Sequence, residues 1–312
     1  MSTITEKSEL LFLYESTYSI PNGDPFTGEQ RYDEETKKIL VSDVRIKRFI
    51  RDFLLSENHE VFVWNDQSNV DGKESGAASR VKSLKIKYEK DDSLKKTDKK
   101  GKPSQEFDTS KLLQKCIDVR LFGGISTEEG DSVNLTGPVQ FALLNPSLNE
   151  VDLRLHQNTS QFVSKGGNKQ GAIGTTTIVP YALVQVHGWI NPKSAQKTNL
   201  SIEDVIVMQK ALWHSINDAN TRTKNNQSSV LILKIIYNEP FGKVYGVDRL
   251  VKIIPRDNKR GEQLRSIEDY EFDFTNLLGI ALSEKIKEVQ YYTEIESIKK
   301  VLVGDKFKLL TF

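Results

Sequence analysis

Between residues 65 and 115 the apolar patterning of this 312-residue chain breaks. On either side lie apolar runs and stripes that demand a core. Within the break the chain is polar, rich in Gly, Ser and Lys, and poor in aromatics. A chain so interrupted folds as separate domains or as one sheet-and-helix body carrying an insertion. From Arg80 to Lys102, ten Lys and Arg stand against four acids (Glu89, Asp91, Asp92, Asp98), a local net of +6. The stretch reads as an insertion with solvated, flexible parts. The excess is local: 44 Lys and Arg nearly balance 43 Asp and Glu over the whole chain, so net charge names no partner.

Hydrophobic residues are 37% of the chain, enough for a core, and 19 Gly with 9 Pro exclude a collagen-like or low-complexity chain. The single Cys116 excludes an intramolecular disulfide framework and fits a reducing compartment. His59, His156, His187 and His214 are scattered, so no zinc site of common spacing can be written, and no metal or cofactor is expected. Apolar runs such as residues 230–236 fall far short of the ~20 residues that cross a bilayer. Residues 1–9 lack the apolar centre of a signal peptide. The expectation is a soluble, cytoplasmic protein without membrane contact.

Residues 9–14 read as a buried strand ending in the turn Pro21-Asn22-Gly23-Asp24-Pro25, where Asn-Gly would supply positive φ. A helix starts at Ser42, a good N-cap, with Ile46, Phe49, Ile50, Phe53 and Leu54 on one apolar stripe. Arg45, Lys47, Arg48 and Arg51 then frame the face away from that stripe. Strands are expected over 117–122 and 133–144, joined by a Gly-rich connector. Residues 156–180 read as a long polar hairpin around Gly166-Gly167-Asn168, followed by a separate strand over 181–190. Ser201 caps a helix to Asn217, with Asp204 in the capping-box position and Trp213 inward. Strands over 230–237 and 249–254 and a helix over 276–289 complete an α+β order of ferredoxin-like type.

Several residues are candidates for chemistry. The four cations of the Ser42 helix fit phosphate gripping, aided by the positive helix N-terminus; a solvated amphipathic face reads equally from the residues. Asn22 and Gly23 place turn amides where an anion could meet them, or form an ordinary turn. Arg120 could reach a phosphate or pair with Asp118. Gly123 and Gly124 would let a ligand approach the backbone without a Cβ clash. Gln140 could bond a sugar or base edge, or simply face outward. The Lys-rich run could contact DNA or be solvated.

The turn Ile20-Pro21-Asn22-Gly23-Asp24-Pro25, the helix start Ser42-Asp43-Val44-Arg45-Ile46-Lys47-Arg48-Phe49-Ile50-Arg51, the segment Asp118-Val119-Arg120-Leu121-Phe122-Gly123 and the run Gly137-Pro138-Val139-Gln140-Phe141 follow one another in order. Together they resemble the Cas-seven family, the backbone subunits of type I CRISPR Cascade complexes, nearest the subtype I-B branch. The resemblance implies an RNA-recognition-motif-like palm (1–64, 116–155 and 181–312), a finger insertion (65–115) and a β-hairpin thumb (156–180). It implies a non-catalytic protein whose copies stack along a CRISPR guide RNA and present it to complementary target DNA beside other Cascade subunits. RNA contacts would fall on Asn22, Gly23, Ser42, Arg45, Lys47, Arg48, Arg51, Arg120, Phe122, Gly123 and Gln140. In the thumb, Phe162 and Val163 would be the wedge, with Lys165 and Lys169 beside it. The strands lack an aromatic pair for base stacking. Two rival readings are an endoribonuclease of the related type III class using Asp24, and a protein-only assembly module.

Overall fold

The structure is a computed structural model and describes residues 2–64, 76–97, 102–128, 131–160 and 172–312. The strands are β1 (Ser8–Ser19), β2 (Tyr32–Asp33), β3 (Lys38–Ser42), β4 (Lys95–Thr97), β5 (Pro103–Phe107), β6 (Gly123–Glu128), β7 (Asp131–Thr136), β8 (Val139–Phe141), β9 (Leu144–Pro146), β10 (Arg154–Ser160), β11 (Ala172–Ile190), β12 (Gln227–Tyr237), β13 (Lys252–Pro255), β14 (Tyr270–Asp273), β15 (Ile286–Tyr292) and β16 (Phe307–Leu309). The helices are α1 (Asp43–Ser56), α2 (Ala77–Lys87), α3 (Thr109–Leu113), α4 (Ile117–Phe122), α5 (Pro192–Thr198), α6 (Ile202–Asn217), α7 (Thr275–Ala281) and α8 (Glu296–Val301).

The main sheet runs β10-β11-β1-β12-β15-β16, with β8 also paired to β11. All its pairs are antiparallel except β15 with β16. Alternation along β1 splits its side chains between two cores. Leu10, Phe12 and Tyr14 pack with Ile46, Phe49 and Ile50 of α1 and with Met208 and Leu212 of α6. Leu11 and Leu13 pack on the other face with Leu250, Tyr270, Leu277 and Ile298. Both faces of the central strands are therefore covered. The open aromatic face on which an RNA-recognition motif stacks bases is not offered there.

Helix α1 forms as its sequence directs. The Arg45 N–H donates to Ser42 Oγ at 3.3 Å, and Ile46, Phe49, Ile50 and Leu54 are buried. Such a cap contributes about 1 kcal/mol. Helix α6 has the full capping box, Asp204 N–H to Ser201 Oγ and Ser201 N–H to Asp204 Oδ2, each 3.1 Å.

Several local expectations are corrected. Residues 117–122 are the helix α4; Ile117, Val119, Leu121 and Phe122 are buried on both sides, a pattern that alternation cannot separate from a strand. The connector after it is the strand β6, and 133–144 divides into parts of β7, β8 and β9, interrupted at Gly137-Pro138. Residues 181–190 continue β11 without a break through Pro180; the opposing Tyr18 has φ 46° and leaves the ladder there, so no donor is missed. Residues 276–289 hold α7 and then the start of β15, and the strand expected over 249–254 begins only at Lys252, after a 3-10 turn over Val247–Arg249.

The described parts of 65–115 carry a core of their own: Val81, Leu84, Leu94, Leu112 and Leu113 pack with Phe62, Cys116, Val119 and Val133. Asp118, fully buried, ties α1 and the segment entering this unit to α4. It accepts from Phe62 N–H (2.7 Å) and Val63 N–H (3.1 Å) and pairs with Arg51 Nε (2.9 Å). The expected hairpin has its arms in β10 and β11, registered from Arg154 opposite Ile178 to Ser160 opposite Ala172.

Candidate nucleic-acid interface

The turn after β1 is shaped by side chains rather than by positive φ. Neither Asn22 nor Gly23 adopts a positive φ; in this loop Gly28 does, at 73°. Asn22 is buried. Its Oδ1 accepts from Ser42 N–H at 2.7 Å, and its own N–H donates to Gln30 Oε1 at 2.9 Å. Asn22 thus ties the turn to the N-cap of α1, and its side chain serves the fold. Gly23 sits in an isolated bridge to Gln30. Asp24 Oδ1 accepts from Phe26 N–H at 2.9 Å, and Oδ2 pairs with Arg31 at 3.1 Å. The backbone bond from Phe26, with help from Thr27 and Arg31, holds this half-exposed carboxyl below the usual range.

The α1 cations do not frame one open face. Lys47 is paired with Asp43 (3.0 Å), Arg51 with Asp118 (2.9 Å) and the exposed Arg48 with Asp52 (2.7 Å). Lys47 and Arg51 are folded inward over the Phe122 ring. Arg45 differs. Its guanidinium lies 3.7 Å from the centre of the Phe49 ring, its Nε has no partner, and no carboxylate is within ion-pair distance among the described residues. Beside it stands Lys224, from the loop between α6 and β12. Lys224 Nζ donates to the Ile20 carbonyl and to Thr223 Oγ1, and it too lacks a carboxylate partner among the described residues. Burial, then the charge of Arg45, push the Lys224 amine down to about 8. Burial likewise works against the charge on Arg45. Around this pair the buried Tyr14 hydroxyl and Gln227 Oε1 have no hydrogen-bond partner. Two half-buried like charges among unpaired polar atoms are costly unless an anion completes them.

Sequence reasoning found Arg45 but missed Lys224, Tyr14 and Gln227. The one signal for Lys224 was its position in a polar loop, Asn220-Thr221-Arg222-Thr223-Lys224, just before a buried strand. What brings it to Arg45 is the antiparallel β1–β12 ladder, which sets Gln227 across from Ser16.

The remaining candidates serve the protein interior. Arg120 pairs with Asp204 rather than Asp118: Nε to Oδ2 at 2.9 Å and Nη2 to Oδ1 at 2.7 Å, with Nη1 donating to the Gln114 and Lys115 carbonyls. It has no guanidinium nitrogen left for a phosphate in this arrangement. Phe122 is buried, 6.2 Å from the Phe141 ring centre, and offers no stacking surface. Gly123 has φ 82°, and a Cβ there would lie 2.0 Å from the Leu135 carbonyl oxygen. Its need for glycine is met by β7, not by an approaching RNA. Gln140 Nε2 donates to the Gly137 carbonyl at 2.9 Å. In the Lys-rich stretch, Arg80 and Lys87 both bind Glu60, and Lys95 binds Asp92, so part of the local charge is neutralised. Phe162, Val163, Lys165 and Lys169 lie outside the described residues.

Residues 6–275 match the family model for CRISPR-associated protein Cas7. A CRISPR-associated protein Cas7 from Haloferax volcanii is 29% identical over 297 residues, covering 88% of this chain and 83% of that protein. Two solved chains share the fold. One, from a CRISPR RNA-guided surveillance complex described as pre-nicking, has a TM-score of 0.52 at 11% identity, covering 97% of this chain and 96% of that one. The other, from a CRISPR RNA-guided surveillance complex, has a TM-score of 0.50 at 12% identity, covering 97% and 94%.

Proposed function

The chain belongs to the Cas7 family of CRISPR-associated proteins, and on that premise we propose that it is a non-catalytic backbone subunit that binds CRISPR guide RNA. Its copies line up along the guide, present it to a complementary DNA strand and meet other Cascade subunits in the cytoplasm. The subtype I-B placement belongs to the same proposal and rests on the ordered motifs of the sequence.

The observation that carries the reading is the Arg45–Lys224 pair. Two cations from distant parts of the chain meet beside the turn and the start of α1, and neither has a carboxylate partner among the described residues. A phosphate would complete them. Phosphate contacts position a strand without reading its sequence, which suits a protein that must accept any guide. A catalytic role for Asp24 is disfavoured because both its oxygens are engaged, by the Phe26 N–H and by Arg31. The finger and thumb are assigned to the 65–115 unit and to the β10–β11 hairpin by their place in the chain.

The test is the Arg45→Ala/Lys224→Ala double variant, measured by fluorescence anisotropy with several unrelated RNAs over a salt series. Binding weakens alike for every sequence, and the slope of log K against log[salt] flattens by roughly 0.7 for each phosphate of a single strand that the variant no longer neutralises. An unchanged slope in a folded variant contradicts the assignment.

A further inference from the structure

A cavity of about 230 Å³ lies where the residues before β1, the strands β12 and β15, and the start of α6 meet. It is smaller than the roughly 300 Å³ at which sites for whole small molecules begin, so it has room for a small group. Ile4, Ile202, Val205 and Ile236 give it apolar walls. Lys234 lines it too. Alternation along β12 sets Lys234 on the sheet face of Ile232, where packing against α6 otherwise calls for apolar side chains. Its amine makes no hydrogen bond and has no carboxylate within ion-pair distance among the described residues, and it is not one of the unpartnered polar atoms sealed from solvent. Two charged groups face it. Glu6, ahead of β1, is engaged by Lys287, and Glu288 of β15 accepts from Gln290 Nε2 at 2.6 Å. From α6, Ile202 and Val205 line the cavity, and both are apolar. Burial pushes the Lys234 amine down, and the charges of Glu6 and Glu288 offset this only in part. The neutral amine carries the lone pair and is the nucleophilic form.

We infer that Lys234 is a site of acylation by a small thioester, with the acyl group coming to rest against Ile202, Val205 and Ile236. The amine lone pair attacks the thioester carbonyl carbon. A C–N bond forms, the C–S bond breaks, and the proton shed by nitrogen passes through water to the departing thiolate. The products are an amide and a free thiol, and nothing is oxidised or reduced. The amide is neutral, so acylation removes a charge that burial disfavours. An imine formed from an aldehyde would keep that charge when protonated. A neutral thioester also meets no repulsion from Glu6 and Glu288, whereas an acyl phosphate would bring an anion toward them. No residue of this site belongs to the Arg45–Lys224 pair, so the inference does not rest on the guide-strand proposal.

The test exposes the full-length chain to S-acetyl-N-acetylcysteamine, a neutral model thioester, and in parallel to acetyl phosphate. Peptide mass spectrometry reads the acetylation rate of each lysine. With the thioester, Lys234 in the folded chain reacts at least fivefold faster than the exposed Lys243 and Lys252, and the lead disappears in urea. Ile202 is 47% exposed and stands at the mouth of the cavity. Ile202→Trp therefore slows Lys234 at least fivefold, leaves Lys243 and Lys252 unchanged and keeps the wild-type melting temperature. The inference is overturned if Lys234 reacts no faster than the two exposed lysines in the folded chain. It is overturned equally if the lead persists in urea, or if a folded Ile202→Trp variant acetylates Lys234 at the wild-type rate. A lead that is larger with acetyl phosphate than with the thioester overturns the choice of donor.

Discussion

At the scale of single residues, the surface cations of α1 matter less than the one drawn inward. Lys47, Arg48 and Arg51 each have a carboxylate within 3.0 Å, whereas Arg45 and Lys224 have none within ion-pair distance among the described residues. The Lys224 amine, held down to about 8, makes two opposite pH dependences. A bound phosphate favours the charged amine, so RNA affinity is full below pH 8 and falls as pH rises through it, by about tenfold from pH 7 to pH 9. The RNA-free protein behaves the other way. Its folded-state amine titrates below the unfolded one, so the charged form is a burden at low pH, and stability rises between about pH 8 and pH 10. Anisotropy with an RNA of A and C alone, and urea melts across the same range, read the two. Lys224→Arg removes the pH dependence of binding; a wild-type affinity flat from pH 7 to 9 shows that Lys224 meets no phosphate. Gly123 is a second residue with a sharp expectation. A Cβ there meets the Leu135 carbonyl oxygen at 2.0 Å, at a φ of 82°. Gly123→Ala therefore destabilises by more than about 2 kcal/mol, as overpacking and positive-φ strain combine. A thermal or urea melt unchanged from wild type contradicts that reading.

At the scale of elements, what was legible in the sequence is what local chemistry decides alone. Ser42 and Ser201 announced α1 and α6 because a cap and a long apolar stripe leave one solution. Residues 117–122 and 276–289 misled because short apolar stretches fit a helix or a strand, and tertiary packing chose. Arg120 could be seen as a cation with something to do, but not that Asp204, brought close by α6, would take it. The same limit hid Lys224. The β10–β11 hairpin was legible from its Gly and polar content, and its arms are in place. Residues Lys165 to Gln170 at its centre are all Gly or polar in sequence and supply no apolar side chain to a core. Their deletion therefore leaves circular dichroism and the melting temperature near wild type. Short RNA still binds one copy, while assemblies on long RNA become shorter or irregular by mass photometry. Regular full-length assemblies from the folded deletion variant return the hairpin to an ordinary surface loop.

At the scale of the whole molecule, a sheet covered on both faces leaves its rim and its insertions to meet partners. The Arg45–Lys224 pair sits by the first turn, the described part of the 65–115 unit packs on Phe62, Cys116, Val119 and Val133, and the hairpin extends from the sheet edge. Copies brought together on one strand need only weak mutual attraction, because the RNA raises their effective concentration. The central claim is that this chain is a repeating subunit on a guide RNA, and the most direct measurement counts copies against RNA length. Mass photometry of the purified chain with a series of RNAs, each longer than the last, reads that number. Steps of one chain mass are expected, one added copy for each fixed increment of RNA, whatever the sequence. A bound mass that stays at one copy for every length, or no bound species at all, contradicts it.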